Sequence, residues 1–405
     1  MARKMKDSGI EWIGEIPEGW ELRKGKSLYR VTTGKLDANA ENPDGDYPFF
    51  TCSMTPKRIN SYSFDCEALL VAGNGLVGFT QYYKGKFDAY QRTYVLSDFR
   101  NVLPSFLRYY VSVGLPMEVQ PKSIGSVIQF IKLGDLLNFN ITLPSIEQQT
   151  IISNYLEFKI IQIDAILSKT RSSIEEYKKL KQAVITQAVT KGVRGEREMK
   201  DSGVEWIGAI PVDWTIQRFA RVAEVKSNLV SPDNYLEYPQ ISPENIEKDS
   251  GKLLLPCKTV GEVGIVSGNH LFYKGQILYS KIRPKLNKVC IAPFDGLCSA
   301  DMYPIETNND TRYIMYCILS NGFLQQVSMI TENRVKMPKI NQTELSKLLV
   351  AIPNFLAEQK EIADHLDAKC AEIDGLIAKK EQLVKELESY KKSLIYEVVT
   401  GKREV

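Results

Sequence analysis

Histidine is nearly absent: the 405 residues hold two, His270 and His365. A histidine-based triad, a His-rich metal site or a HExxH helix therefore has almost nothing to be built from. His365 stands in the charged stretch Glu361–Asp367 and reads as helix surface; His270, between Ser-Gly-Asn and Leu-Phe-Tyr, reads as a loop residue. The seven cysteines form no CxxC pair and are odd in number, which argues against a zinc site or a disulfide framework and for a reducing compartment. No apolar run approaches the roughly 18 residues of a membrane span, and Met-Ala-Arg-Lys opens no signal peptide. The expectation is a soluble, cytoplasmic chain. An excess of one charge is lacking too, since 52 Lys and Arg against 49 Asp and Glu leave +3. Any nucleic-acid surface must come from local clustering. There is no GxxxxGK[ST] loop, no Asp/Asn-Pro-Pro-Tyr/Phe amino-methyltransferase motif and no nuclease carboxylate–lysine cluster. These absences speak against catalysis by this chain.

What the chain does have is 20 Tyr, 15 Phe and 4 Trp, enough for sizeable cores in two or three domains. It also contains itself twice. MKDSGIEWIGEIPEGW at 5–20 returns as MKDSGVEWIGAIPVDW at 199–214, identical at 12 of 16 positions, with an offset of 194. Residues 148–192 align with 358–402 at an offset of 210. The order is box, variable body, long helix, and the same again: one module of about 200 residues, duplicated.

Both long segments carry 4–3 apolar spacing. The first set is Leu156, Ile160, Ile163, Leu167, Thr170, Ile174, Tyr177, Lys181, Val184 and Ala188. Its counterpart is Leu366, Cys370, Ile373, Ile377, Lys380, Val384, Leu387, Lys391, Leu394 and Val398, in the same phase. Sustained spacing of this kind, with Lys and Glu between, is a coiled-coil seam. At 1.5 Å per residue it spans roughly 50 Å. Antiparallel pairing of the two helices is the simplest geometry, since it leaves one globular body at each end, related by a pseudo-two-fold axis. Ile161, Ile166, Leu376 and Leu383 fall on the outer face, where a docking surface is expected.

The bodies, about 21–146 and 215–355, are rich in β-branched and aromatic residues punctuated by Gly, Pro, Asn and Asp, a mixed-sheet pattern. Helices are predicted at 106–113 and 313–326, and each body closes on a strand ending in Pro144 or Pro353. The fold class is α+β. Gly73-Asn-Gly75-Leu-Val-Gly78 matches GxGxxG, but strand-like Phe-Thr-Gln-Tyr-Tyr follows where a dinucleotide site needs a helix. It reads as a tight β connection.

Basic clusters are the positive signal. Lys281, Arg283, Lys285, Asn287 and Lys288 fall within eight residues without an acid, and Arg334, Lys336 and Lys339 form a second group. The first body offers Asn74, Gln91 and Arg92, then Lys122, Ser123, Ser126 and Gln129. Lys and Arg neutralise phosphates, and Arg, Asn and Gln pair bidentately with base edges. A solvated charged face is the plainer explanation for any one cluster; two in a duplicated body, interleaved with aromatics, favour nucleic acid.

The repeated box, the twin helices running into Val-Thr-Lys-Gly and Val-Thr-Gly-Lys, and Gly275-Gln-Ile-Leu-Tyr-Ser-Lys-Ile-Arg-Pro-Lys-Leu-Asn-Lys-Val289 together resemble the specificity subunit of type I restriction–modification enzymes, over the whole chain. The resemblance implies target-recognition domains at 1–146 and 193–356 separated by coiled-coil helices at 147–192 and 357–405. It further implies that each recognition domain reads one half of an asymmetric, interrupted site on double-stranded DNA. The coil then sets the gap and docks two methyltransferase subunits, which carry S-adenosylmethionine and modify adenine; a motor/nuclease subunit using ATP and Mg cleaves unmodified DNA. No cofactor or catalytic residue is expected in this chain. The Lys-Ile-Arg-Pro segment has no close copy in the first body, where Asn74–Phe79 takes its place. Two rival readings are an autonomous DNA-modifying enzyme, which needs the motifs that are missing, and a coiled-coil scaffold between proteins, which leaves the basic clusters unused.

Overall fold

The computed structural model describes residues 3–119, 130–334 and 338–405. They form two compact units. One comprises residues 1–171 and 382–405, the other residues 172–381. Each unit thus takes in part of both long helices, Ile146–Lys191 and Leu356–Val399.

In the first unit the box folds as a hairpin, Met5–Asp7 against Glu15–Pro17, with Ile13 and Ile16 buried. Six strands follow in the order Arg30–Thr33, Thr93–Ser97, Phe64–Ala72, Thr80–Ala89, Tyr47–Phe50, Lys57–Ile59. All neighbours are antiparallel except Tyr47–Phe50 beside Thr80–Ala89. The central strand feeds two cores, because side chains alternate across a sheet. Leu69 and Val71 join Phe106, Leu107 and Tyr110 of helix Pro104–Val119, while Ala68 and Leu70 join Phe50, Phe87 and Val95. That helix is longer at both ends than the predicted 106–113.

The second unit repeats the plan. Glu224–Val225, Met302–Glu306, Ile277–Ser280 and Val289–Ile291 lie side by side, matching the first four strands of the other sheet in order and direction. A second sheet, Leu229–Val230, Asn269–Phe272, Gly296–Cys298, Gln240–Ile241, is particular to this unit. Two expectations are corrected here. His270 lies inside strand Asn269–Phe272, 3% exposed, because β-pairing to Leu229 and Cys298 draws it into the sheet. The helix expected over 313–326 is two, Thr311–Leu319 and Asn321–Thr331. Ser320 stays extended and its hydroxyl accepts from Phe323 N, capping the second helix.

Within each unit the long-helix segments run antiparallel. In the first, Asp164 meets Lys391 and Arg171 meets Glu388, over buried Leu156, Ile163, Leu167, Leu394 and Val398 and half-buried Ile160, Val384 and Leu387. In the second, Lys181 meets Asp374 and Lys380 lies over the Tyr177 ring. There Ile174, Leu366 and Ile373 are buried, and Tyr177, Val184 and Ile377 half-buried. The boxes hold the helix ends. Tyr396 donates to Trp12 O at 2.8 Å and Lys402 to Glu15 O at 3.1 Å; in the other unit Trp214 packs at Gly192.

Candidate nucleic-acid interface

The loop Lys281–Lys288 joins the antiparallel strands Ile277–Ser280 and Val289–Ile291. Ser280 N bonds to Lys288 O at 2.9 Å and closes the hairpin. The tip is a tight turn over Pro284–Leu286, bracketed by Arg283 and Asn287, both left-handed at φ 44° and 42°. Non-glycine residues in that region carry local strain and persist where surrounding contacts hold them. Those contacts are visible: Arg283 N donates to Pro338 O at 2.8 Å, and Ile340 N to Lys281 O at 2.9 Å.

This framework sorts the cluster. Arg283 and Lys285 are exposed, and neither side chain makes a hydrogen bond or ion pair among the described residues. Lys281 lies 5.3 Å from the Tyr303 ring centroid, and Lys288 Nζ donates to Pro243 O at 2.6 Å. Asn287 is 1% exposed and its amide donates to Ile318 O at 3.2 Å, so it builds the loop and does not face a ligand. Arg334 is held by Glu344 at 2.5 Å and by Lys339 O; that hydrogen bond keeps the Glu344 carboxyl below its ordinary range, outweighing its desolvation. Lys339 pairs with Asp301 at 3.1 Å. Lys336 lies outside the described residues. The loop therefore presents Arg283 and Lys285 to solvent, with Lys281 beside them.

In the first unit the corresponding loop joins Phe64–Ala72 to Thr80–Ala89. Gly75 and Gly78 take φ of 76° and 86°, so the GxGxxG is a β connection. Asn74 bridges to Phe130, Gln91 donates to Asp37 at 2.6 Å, and exposed Arg92 makes no side-chain hydrogen bond or ion pair among the described residues. Lys122, Ser123, Ser126 and Gln129 lie outside the described residues.

The sequence reading did not single out an apolar margin in the second unit. Val266, between Gly264 and Gly268, is 93% exposed and Leu229 57%. With Pro232 and Ala300 they line an open groove, next to Asp301, whose carbonyl accepts from Lys281 N. Glycines on both sides of a lone valine were the available signal. Burial and then the Lys281 charge lower the pKa of His270, which pairs with Leu229 in the sheet. On the long helices Ile161, Ile166 and Leu383 are exposed, whereas Leu376 is half-buried. Among the described residues no cluster of His, Cys, Asp and Glu could hold a metal, and no helix is long and apolar enough to cross a membrane.

A family model described as the type I restriction modification DNA specificity domain matches this chain twice, at residues 17–176 and 211–386. The EcoDI type I restriction enzyme specificity subunit of Escherichia coli is 37% identical over 378 residues, spanning 90% of this chain and 84% of that one. The MjaVIII specificity subunit of Methanocaldococcus jannaschii is 22% identical over 412 residues, spanning 96% and 93%. A chain solved in a study of assembly and conformational transition of the type I R-M system superposes with a TM-score of 0.68 at 14% identity, covering 96% of this chain and 99% of that one. At that identity the superposition speaks to the fold.

Proposed function

The chain belongs to the family of type I restriction–modification DNA specificity subunits, and from that premise we propose that its two recognition domains divide one target between them. It is a DNA-recognition component, without a catalytic role of its own, in a complex with restriction–modification subunits. Each body reads one half of a bipartite site on double-stranded DNA. In the second body Arg283 and Lys285 make the first contacts, with Lys281 beside them; in the first, Arg92 does so with Asn74 and Gln91 at the margin. The paired long helices set the gap and dock two methyltransferase subunits, so that adenine methylation, and cleavage by the motor/nuclease subunits, follow the sequence read here. S-adenosylmethionine, ATP and Mg belong to those partners, and the complex works in the cytoplasm.

One observation carries this reading. Two units share a strand order but differ in the loop at the same hairpin: four cations and an asparagine in one, a glycine-rich turn in the other. A common frame with unlike tips suits two unlike half-sites.

The test is a map of adenine methylation across the host genome with the gene intact, with it deleted, and with residues 21–142 replaced by those of another family member. Loss of one interrupted motif on deletion, and change of only one half-site on replacement, are expected. Change of both halves overturns the division of labour. Inserting one heptad in each long helix adds about 10 Å, roughly three base pairs; an unchanged gap overturns the spacing role.

A further inference from the structure

The two units clasp their long helices with unequal chemistry. In the second unit the Glu358 carboxylate is 1% exposed. It accepts from Arg197 Nη1 at 2.5 Å and from Trp214 Nε1 at 3.2 Å. The Arg197 guanidinium lies 5.8 Å from the Trp214 ring centroid. Arg194 pairs with Glu361 at 2.7 Å, and Arg197 with Asp213 at 2.6 Å. Two cations and an indole N–H thus surround three acids.

The repeat offsets carry this clasp onto the first unit. An offset of 194 takes Arg197 to Arg3, Trp214 to Trp20 and Asp213 to Gly19; an offset of 210 takes Glu358 to Gln148 and Glu361 to Ile151. Arg403 follows Gly401 by two residues, as Arg194 follows Gly192, and both glycines are left-handed, at φ 75° and 77°. Both arginines and the tryptophan are therefore kept, while every acid is replaced by a neutral residue. The geometry is kept as well, with Arg3 5.4 Å from the Trp20 ring centroid.

The consequence is a cavity of about 60 Å³ to which Arg3, Trp20, Gln148 and Arg403 bring donors, with Ile151, Ile152, Glu404 and Val405 completing the lining. Trp20 is 3% exposed, and its Nε1 has no hydrogen-bond partner among the described residues. A buried donor left unpaired is costly. Arg403 is engaged by Glu397 at 2.8 Å, whereas Arg3 makes no ion pair among the described residues. Gln148 is exposed where Glu358 is buried, so its side chain does not reach the indole. Glu404, at the rim, is exposed and makes no hydrogen bond or ion pair among the described residues. The cavity is partly open to solvent and has room for a carboxylate group. A guanidinium beside an indole N–H suits the planar, acceptor-only carboxylate group, and the second unit shows one bound by the same residue types.

We propose that this cavity binds a carboxylate supplied from outside the first long helix, either as a free small anion or as the side chain of an Asp or Glu on a partner subunit. The inference is independent of how DNA is read, since none of these residues belongs to the loops described above.

The first measurement is thermal unfolding of the full chain in sodium chloride with Gln148→Glu, which rebuilds the clasp of the second unit from within. A rise in Tm of about 2–4 °C is expected, and none in an Arg3→Ala background. Absence of that rise in the single variant, or its persistence without Arg3, overturns the proposal. Two further readouts separate the sources. Sodium acetate at matched ionic strength should raise the wild-type Tm saturably, with the increment abolished by Gln148→Glu, if a free carboxylate binds. Gln148→Glu should weaken retention of the modification subunit about tenfold if the carboxylate is a partner's. Failure of both readouts overturns the proposal even when the rebuilt clasp stabilises.

Discussion

Lys181 Nζ lies 2.9 Å from each carboxylate oxygen of Asp374, in a position of the coil seam that the heptad reserves for an apolar residue. The relation recurs in the other unit, where Lys391 Nζ lies 2.6 and 2.8 Å from the oxygens of Asp164. An offset of 210 relates Lys181 to Lys391 and Asp164 to Asp374, so the duplicated module makes the same ion pair twice, each repeat giving the lysine once and the aspartate once. A polar group at one seam position fixes register at some expense in stability. Asp374→Ala strands a lysine whose side chain is 7% exposed and should cost about 3 kcal/mol. Lys181→Met should cost far less, because it leaves Asp374 its second partner, Lys252 at 2.7 Å. Urea unfolding of the two variants checks the asymmetry, and equal costs would show that the pair is not desolvated.

The same carboxylate predicts an acid response. Burial alone raises the Asp374 pKa, but Lys252 and Lys181 outweigh it and hold the group below its ordinary value. A carboxyl depressed in the folded state contributes stability above about pH 4, and that contribution is lost as pH falls through the folded value. The urea midpoint should therefore drop more steeply below pH 4 in the wild type than in Asp374→Asn. Parallel acid limbs would assign the loss to other groups.

Asn287 separates loop building from base reading. With φ 42° and a bond to Ile318 O, Asn287→Ala adds left-handed strain and removes a buried hydrogen bond, about 2 kcal/mol together. Asn287→Gly loses only the bond. The alanine variant should bind all DNA sequences more weakly in one proportion, and the glycine variant less so. A change of preferred sequence in either would make Asn287 a reader.

Arg283 and Arg334 should part in the opposite sense. Arg283→Ala should leave thermal unfolding unchanged and weaken cognate DNA binding by about 1–3 kcal/mol, with relaxed discrimination at one base pair if it pairs with a guanine. Uniform weakening across sequences would make it a phosphate contact. Arg334→Ala frees the Glu344 carboxylate and lowers the unfolding temperature, since that arginine ties the end of helix Asn321–Thr331 to Glu344.

The long helices, the boxes and the bodies' sheet character were legible because each leaves a periodic or repeated trace. Leu156 to Val398 announce their seam by spacing, and Trp12 and Trp206 their boxes by recurrence. The sorting within the basic clusters was not legible. Lys339 is engaged by Asp301, 38 residues away, and Asn287 by a carbonyl 31 residues away; only the folded sheet brings such partners together. His270 was misread for the same reason, since the Gly and Asn before it are local loop signals and its pairing with Leu229 is not local. Ser320 is a cap that composition alone hides inside an otherwise helical stretch.

The division of the long helices between the units also orders synthesis. Residues 172–381 are contiguous, so the second unit has all its parts while the last segment is still being made. The first unit has to wait: Thr142 bonds to Val399, 257 residues on, and Leu394 and Val398 complete the core around Leu156 and Ile163. Until residues 382–405 appear, the nascent N-terminal body carries an uncovered apolar helix face, a surface that chaperones bind. Truncation within those last two dozen residues should therefore be felt first at the opposite end of the chain, as aggregation of the N-terminal body.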